Sequence, residues 1–158
     1  MEDIMINSAK SLCDRIAPDV EKVMESLLIE IDRNLLFSLA FSETMPEISA
    51  LCDKIAEDSA LYLKKLGRML LLNGCNPTLR LYATVSSVDA CLDKPSKVSC
   101  TALSVINHNL GTKRKIAAYL RAMISRDGIR KYTDCFETLN HVYLEELKSI
   151  ENLQTYLN

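Results

Sequence analysis

The sequence has no tryptophan, only four glycines and four prolines, and few aromatic residues of any kind. This scarcity favours long regular elements, and helices over a sheet. No apolar stretch approaches the length of a membrane span; the run MLLL at 69–72 is among the longest. The first residues, MEDIMINSAKSLCDRIA, carry acids where a secretion signal needs bases, and they lack its apolar run. A cytoplasmic protein without a membrane partner is expected. The net charge of −2 gives no global pull toward nucleic acid, so no nucleic-acid partner is expected either.

The six cysteines, at 13, 52, 75, 91, 100 and 135, include no CxxC pair. Zinc ligation is therefore not indicated, and a chain of 158 residues can build one sizeable core without staples. Free thiols in a reducing compartment are the expectation. The sequence also has no Ser-His-Asp order, no glycine-rich phosphate loop and no nucleophile elbow. Histidine occurs only twice, as His108 and His141.

Apolar periodicity is what the chain has in quantity. Residues 2–16 read as a short leading helix. Pro18 then suits the first turn of a second helix over 18–42, with Asp19 and Glu21 near its positive end. The apolar stripe of that helix runs through Val20, Val23, Met24, Leu27, Leu28, Ile31, Leu35, Leu39 and Phe41. A third helix over 46–73 opens on Pro46 and stops at Asn73-Gly74. Its seam of Ile48, Cys52, Ile55, Ser59, Tyr62, Leu66 and Met69 alternates steps of four and three.

Residues 75–100 lack comparable periodicity and read as a long connection. Helices over 101–125 and 129–156 follow, separated by the tight turn Ser125-Arg126-Asp127-Gly128. Their stripes are Val105, Asn109, Thr112, Ile116, Tyr119, Met123 and Ile129, Tyr132, Phe136, Leu139, Tyr143, Leu147, Ile150, Leu153. Two short-linked helical hairpins joined by one long crossover make a single all-α domain, a four-helix bundle spanning 1–158.

Three segments carry a family resemblance. The stretch IAEDSALYLKKLGRMLLLNGCNPTLR at 55–80 is similar to the second helix of rubrerythrin-like and bacterioferritin-like proteins, in its Leu66-Gly67 pair and its turn from Gly74 to Pro77. GTKRKIAAYLRAMI at 111–124 and FETLNHVYLEELKSIENL at 136–153 resemble the third and fourth helices. The resemblance covers roughly residues 18–156. It implies a ferritin-like up-down-down-up bundle with its crossover between the second and third bundle helices.

The same resemblance implies a di-iron site built from one Glu on each of two helices and a Glu-x-x-His on each of the other two. The sequence departs from that pattern at nearly every ligand. Ser59 and Tyr62 stand where the first Glu-x-x-His is expected, and Asn140 and Tyr143 where the second is. Thr112 takes the place of the Glu on the third helix. On helix 18–42, two registers place either Leu28 or Glu30 at the ligand position.

Hydroxyls and amides cannot supply the negative charge that two metal ions require. No cofactor is expected, and a satisfied neutral polar layer is expected in its place, with Glu30 at the edge of the seam. The runs Lys113-Arg114-Lys115 and Glu145-Glu146 read as solvated helix faces. The implied protein is a non-catalytic, degenerate-site relative with a structural or interaction role, expected as a homo-oligomer, a dimer first. Two alternatives stand beside it. One is a metal-binding or oxidoreductase protein with a displaced site at Glu30, His141 and Glu145. The other is a small-ligand binder using the vacated bundle centre.

Overall fold

The computed structural model describes the backbone of residues 2–76 and 101–158, and the side chains of residues 15–76 and 101–158. Most of the expected crossover at 75–100 lies outside the described residues. Four long helices are present among the described residues: α1 (Glu2–Phe41), α2 (Pro46–Leu72), α3 (Ala102–Ile124) and α4 (Thr133–Thr155). A 3-10 turn, Ile129–Lys131, precedes α4. No strand occurs among the described residues, and none of their helices is long and apolar enough to cross a membrane.

The helix ends follow from local chemistry. Pro46 sits in the first turn of α2, where its missing N–H would have no partner anyway. At the other end Gly74 adopts φ +78°, a left-handed conformation that glycine accepts without a Cβ clash. This lets the Cys75 N–H reach the Leu70 carbonyl at 2.9 Å and the Gly74 N–H reach that of Leu71 at 3.1 Å, closing a Schellman ending. Helix α3 opens on a capping box. Thr101 Oγ1 accepts from the Ser104 N–H, and Ser104 Oγ accepts from the Thr101 N–H.

Two expected boundaries move. The leading helix and its successor are one continuous helix, although Pro18 leaves the Asp14 carbonyl without its helical donor. Packing on both sides of the proline explains this, because Ile16 and Val20 are both buried. Arg126 reinforces the same place from the α3–α4 connection. It donates to the Arg15 carbonyl and pairs with Asp19. The last helix starts at Thr133 rather than 129, since Gly128 is left-handed (φ +83°) and Ile129–Lys131 forms the 3-10 turn.

Each helix has two antiparallel neighbours. The pair α1–α2 is joined by a short turn and linked by Ser38 to Ser49 and by Glu30 to Ser59. The pair α3–α4 is the second hairpin, linked by Lys113 to Glu146. Between hairpins, α1 runs antiparallel to α3, with links from Arg33, Asn34 and Glu30 to His108, Asn109 and Lys113. Helices α2 and α4 pack together as well.

The interior divides into two apolar clusters. One contains Val20, Leu27, Leu66, Ile116, Leu120, Leu139 and Val142, and the other contains Phe41, Ile55, Ile106, Leu110 and Leu153. Between them lies a layer of buried polar side chains.

The inward face of α1 differs from the expected stripe. Beyond Leu27 the buried residues are Glu30, Asn34 and Ser38, whereas Leu35, Leu36 and Leu39 are 48%, 47% and 73% exposed. The seam follows 20, 23, 27, 30, 34, 38 and 41, in steps of three and four.

The cysteines also depart from expectation. Cys52 and Cys135 are buried and not disulfide-bonded, but Cys75 is disulfide-bonded. A disulfide at Cys75 runs against the expectation of free thiols in a reducing compartment.

Candidate functional site

Glu30 from α1, Ser59 from α2, Lys113 from α3 and Glu146 from α4 converge in the polar layer. The seam places them there. Glu30 continues the Val23, Leu27 series, and Ser59 the Cys52, Ile55 series. Lys113 stands in the series Ile106, Leu110, Lys113, Ala117, Leu120, and Glu146 in Leu139, Val142, Glu146, Leu153. Each is a polar residue at a position whose neighbours along the helix are apolar and buried.

Lys113 Nζ donates to Glu30 Oε1 at 2.7 Å and to Glu146 Oε2 at 3.3 Å, and all three side chains are fully buried. Ser59 Oγ donates to the same Glu30 oxygen at 3.3 Å. The other oxygens, Glu30 Oε2 and Glu146 Oε1, are buried without a hydrogen-bond partner. Toward the Phe41 end, Asn34 and Asn109 exchange amide hydrogen bonds of 2.8 and 2.9 Å. Asn34 Nδ2 also donates to the Glu30 carbonyl, tying the amide pair to the ionic group. Tyr62 is buried beside this layer and belongs to the larger apolar cluster.

The electrostatics follow from one cation facing two anions away from water. Burial raises the Glu30 carboxyl above its ordinary range, outweighing the attraction of Lys113. Burial likewise pushes Glu146 up to about 7, with the Glu30 charge adding to the rise and Lys113 opposing it. Burial by itself depresses Lys113, but the two carboxylates, Glu30 first, more than reverse this and raise its pKa. The Tyr62 phenol is raised by burial and then by Asp58, Glu145, Glu146 and Glu30.

A buried triad with both acids ionised carries one uncompensated negative charge, which a low-dielectric interior penalises. A single proton on the two carboxyls makes the group neutral. Charge balance thus favours one proton shared by the two carboxyls, in line with burial raising both of them.

No family model matches the chain, and neither do any of the curated proteins or the solved structures.

Of the positions singled out in the sequence, Glu30, Ser59 and Tyr62 are brought into or beside this layer. Thr112 is half-buried and donates to the His108 carbonyl, one helical turn back. Asn140 and Tyr143 are half-buried. The expected neutral layer is instead charged, and Glu30 lies inside it rather than at the seam's edge. The two solvated faces each hide one inward residue, Lys113 and Glu146.

The displaced-site candidates do not converge. His141 is exposed and accepts from Lys65 Nζ at 3.0 Å, and Glu145 pairs with Lys148 at the surface. Among the described residues no group of three His, Cys, Asp or Glu side chains could hold a metal ion.

The donor set does not fit a di-metal centre. Such a centre needs four carboxylates and two imidazoles facing inward. Here two carboxylates face an ammonium, which already supplies the positive charge and repels any further cation.

Proposed function

We propose that the chain is a non-catalytic bundle of ferritin-like design, in which Lys113 takes the electrostatic place of the metal ions and function resides on the outer surface. The observation that carries this reading is the fully buried Lys113 ammonium between Glu30 and Glu146. The antiparallel pairs α1–α2, α1–α3, α2–α4 and α3–α4 support an up-down-down-up order with a crossover from α2 to α3.

A buried ion group is weak evidence of stability, because well-packed apolar residues of the same volume often serve better. Its better-attested use is to fix register, since any slip along the seam leaves a charge unpaired. The ionic layer is read here in that way, as a device that holds four helices in one alignment for a structural or protein-interaction role.

Metal analysis tests the reading directly. Protein purified from cells supplied with iron and manganese is expected to carry no stoichiometric metal by elemental mass spectrometry. About two metal ions per chain would overturn it. The small-ligand alternative is disfavoured by the Lys113 and Tyr62 side chains, which take up the space that lost ligands would vacate.

A further inference from the structure

We propose that copies of this chain associate head to tail, with the outer face of α1 of one copy lying in the α3–α4 groove of the next. This rests on the interaction reading above and names its partner and both surfaces.

The first observation is the inverted second half of α1. Its inner face buries Ser26, Glu30, Asn34 and Ser38, while its outer face shows Leu35, Leu36 and Leu39 to solvent. Half-buried Leu28 extends the outer stripe toward the N-terminus. A helix that turns its polar residues in and its leucines out has two apolar demands, and the fold satisfies only one of them.

The second observation is a groove of about 590 Å³ between α3 and α4. Its floor includes Ala118, Tyr143, Leu147 and Ile150, and Arg114 and Arg121 stand along its α3 side. None of the ion pairs found among the described residues engages either arginine. The small residues Ala118, Ala122 and Ser125 along its α3 side leave room for a helix to approach closely, the usual geometry of helix-in-groove recognition.

Charge spacing identifies the occupant as a second copy. Arg114 and Arg121 are seven residues apart, two helical turns, on the α3 side. On the outer side of α1, Glu25 and Asp32 are also seven residues apart and lie among the leucines. Laid antiparallel to α3, α1 of a second copy brings Glu25 to Arg121 and Asp32 to Arg114. Leu28 then falls over Ala118, and Leu35, Leu36 and Leu39 continue along Leu147 and Ile150.

The leucines supply the affinity and the charges fix direction and register, because exposed ion pairs contribute little by themselves. The two surfaces are distinct, so the contact is heterologous and builds a ring or an open chain.

The test uses the full chain and two charge-reversal pairs outside the core, Arg114→Glu with Arg121→Glu, and Glu25→Arg with Asp32→Arg. Sedimentation velocity across a concentration series should show self-association of the wild type. Each double variant faces like charge with like charge and should lose about a hundredfold in association constant. Circular dichroism should be unchanged, since all four side chains lie outside the core.

Mixing the two variants recreates opposite charges at both contacts and should restore assembly. A wild type that stays monomeric, association indifferent to either pair, or failure of the mixture to assemble would each overturn the proposal. None of these results bears on the ionic centre, which the metal analysis tests separately.

Discussion

Replacing Lys113 by methionine should cost about 3–5 kcal/mol of folding stability at neutral pH, the range seen when one partner of a buried ion group is removed. Methionine keeps most of the volume, so packing loss is small. What remains is Glu30 and Glu146 facing each other with no cation and no water, when their oxygens already include two without a partner.

A loss of this size is a large share of the roughly 5–15 kcal/mol that holds a domain together. Urea unfolding followed by circular dichroism reads it. The penalty should shrink as pH falls and the two carboxyls take up protons.

The matched control is a triple variant, Lys113→Met with Glu30→Gln and Glu146→Leu, in which no charge is buried. It should recover most of the loss or exceed the wild type, because the ion group fixes alignment more than it adds stability. A single Lys113→Met variant as stable as wild type would sink the account of the centre.

The limits of sequence reading here have a physical cause, and α1 shows it best. Hydrophobic periodicity selects the stripe with the most leucines. On α1 that stripe includes Leu28, Leu35 and Leu39, which face outward, while the true seam carries Glu30, Asn34 and Ser38. Glu30 was legible only as one of two registers.

Lys113 and Glu146 were hidden differently. Each has a like-charged neighbour, Arg114 or Glu145, so a run of charge read as a solvated face. The available signal was positional. Lys113 sits on steps of three and four between buried apolar residues, Glu146 follows buried Leu139 and Val142 in the same steps, and a buried acid on α1 calls for a base at the same level on a neighbouring helix.

Pro18 misled for the opposite reason. Its local cost is real, but tertiary burial of Ile16 and Val20 outweighs it. By contrast, the start of α2 at Pro46 and its stop at Asn73-Gly74 were legible because they depend on local backbone chemistry alone.

The proton held by the ionic layer gives the protein an unusual pH dependence. The Glu146 carboxyl, ordinarily at 4.5, is pushed up to about 7 in the fold. Between those values the folded state holds a proton that the unfolded chain has released. Stability contributed by Glu146 is therefore fully present below pH 4.5 and is lost as pH rises through about 7, a difference of about 3 kcal/mol.

For a chain of this size that corresponds to a melting temperature about 6 to 12 °C higher on the acid side of the window. Glu30, also raised by burial, acts in the same direction. His108 acts in the opposite one. Burial and Arg33 lower its pKa, so its contribution is lost as pH falls through the ordinary imidazole range.

The comparison that isolates the centre is wild type against Glu146→Gln, melted across the same pH series. His108 is common to both and cancels. Glutamine imitates the protonated acid, so the variant should lose the Glu146 share of the wild type's fall in stability across this window, keep that of Glu30, and be the more stable protein at pH 8. Asp58 and Tyr62 on α2 and Glu145 on α4, the other titratable groups acting at this level, are retained in both. Parallel curves for the two proteins would mean that Glu146 holds no extra proton in the fold, and the single-proton description of the triad would fall with it.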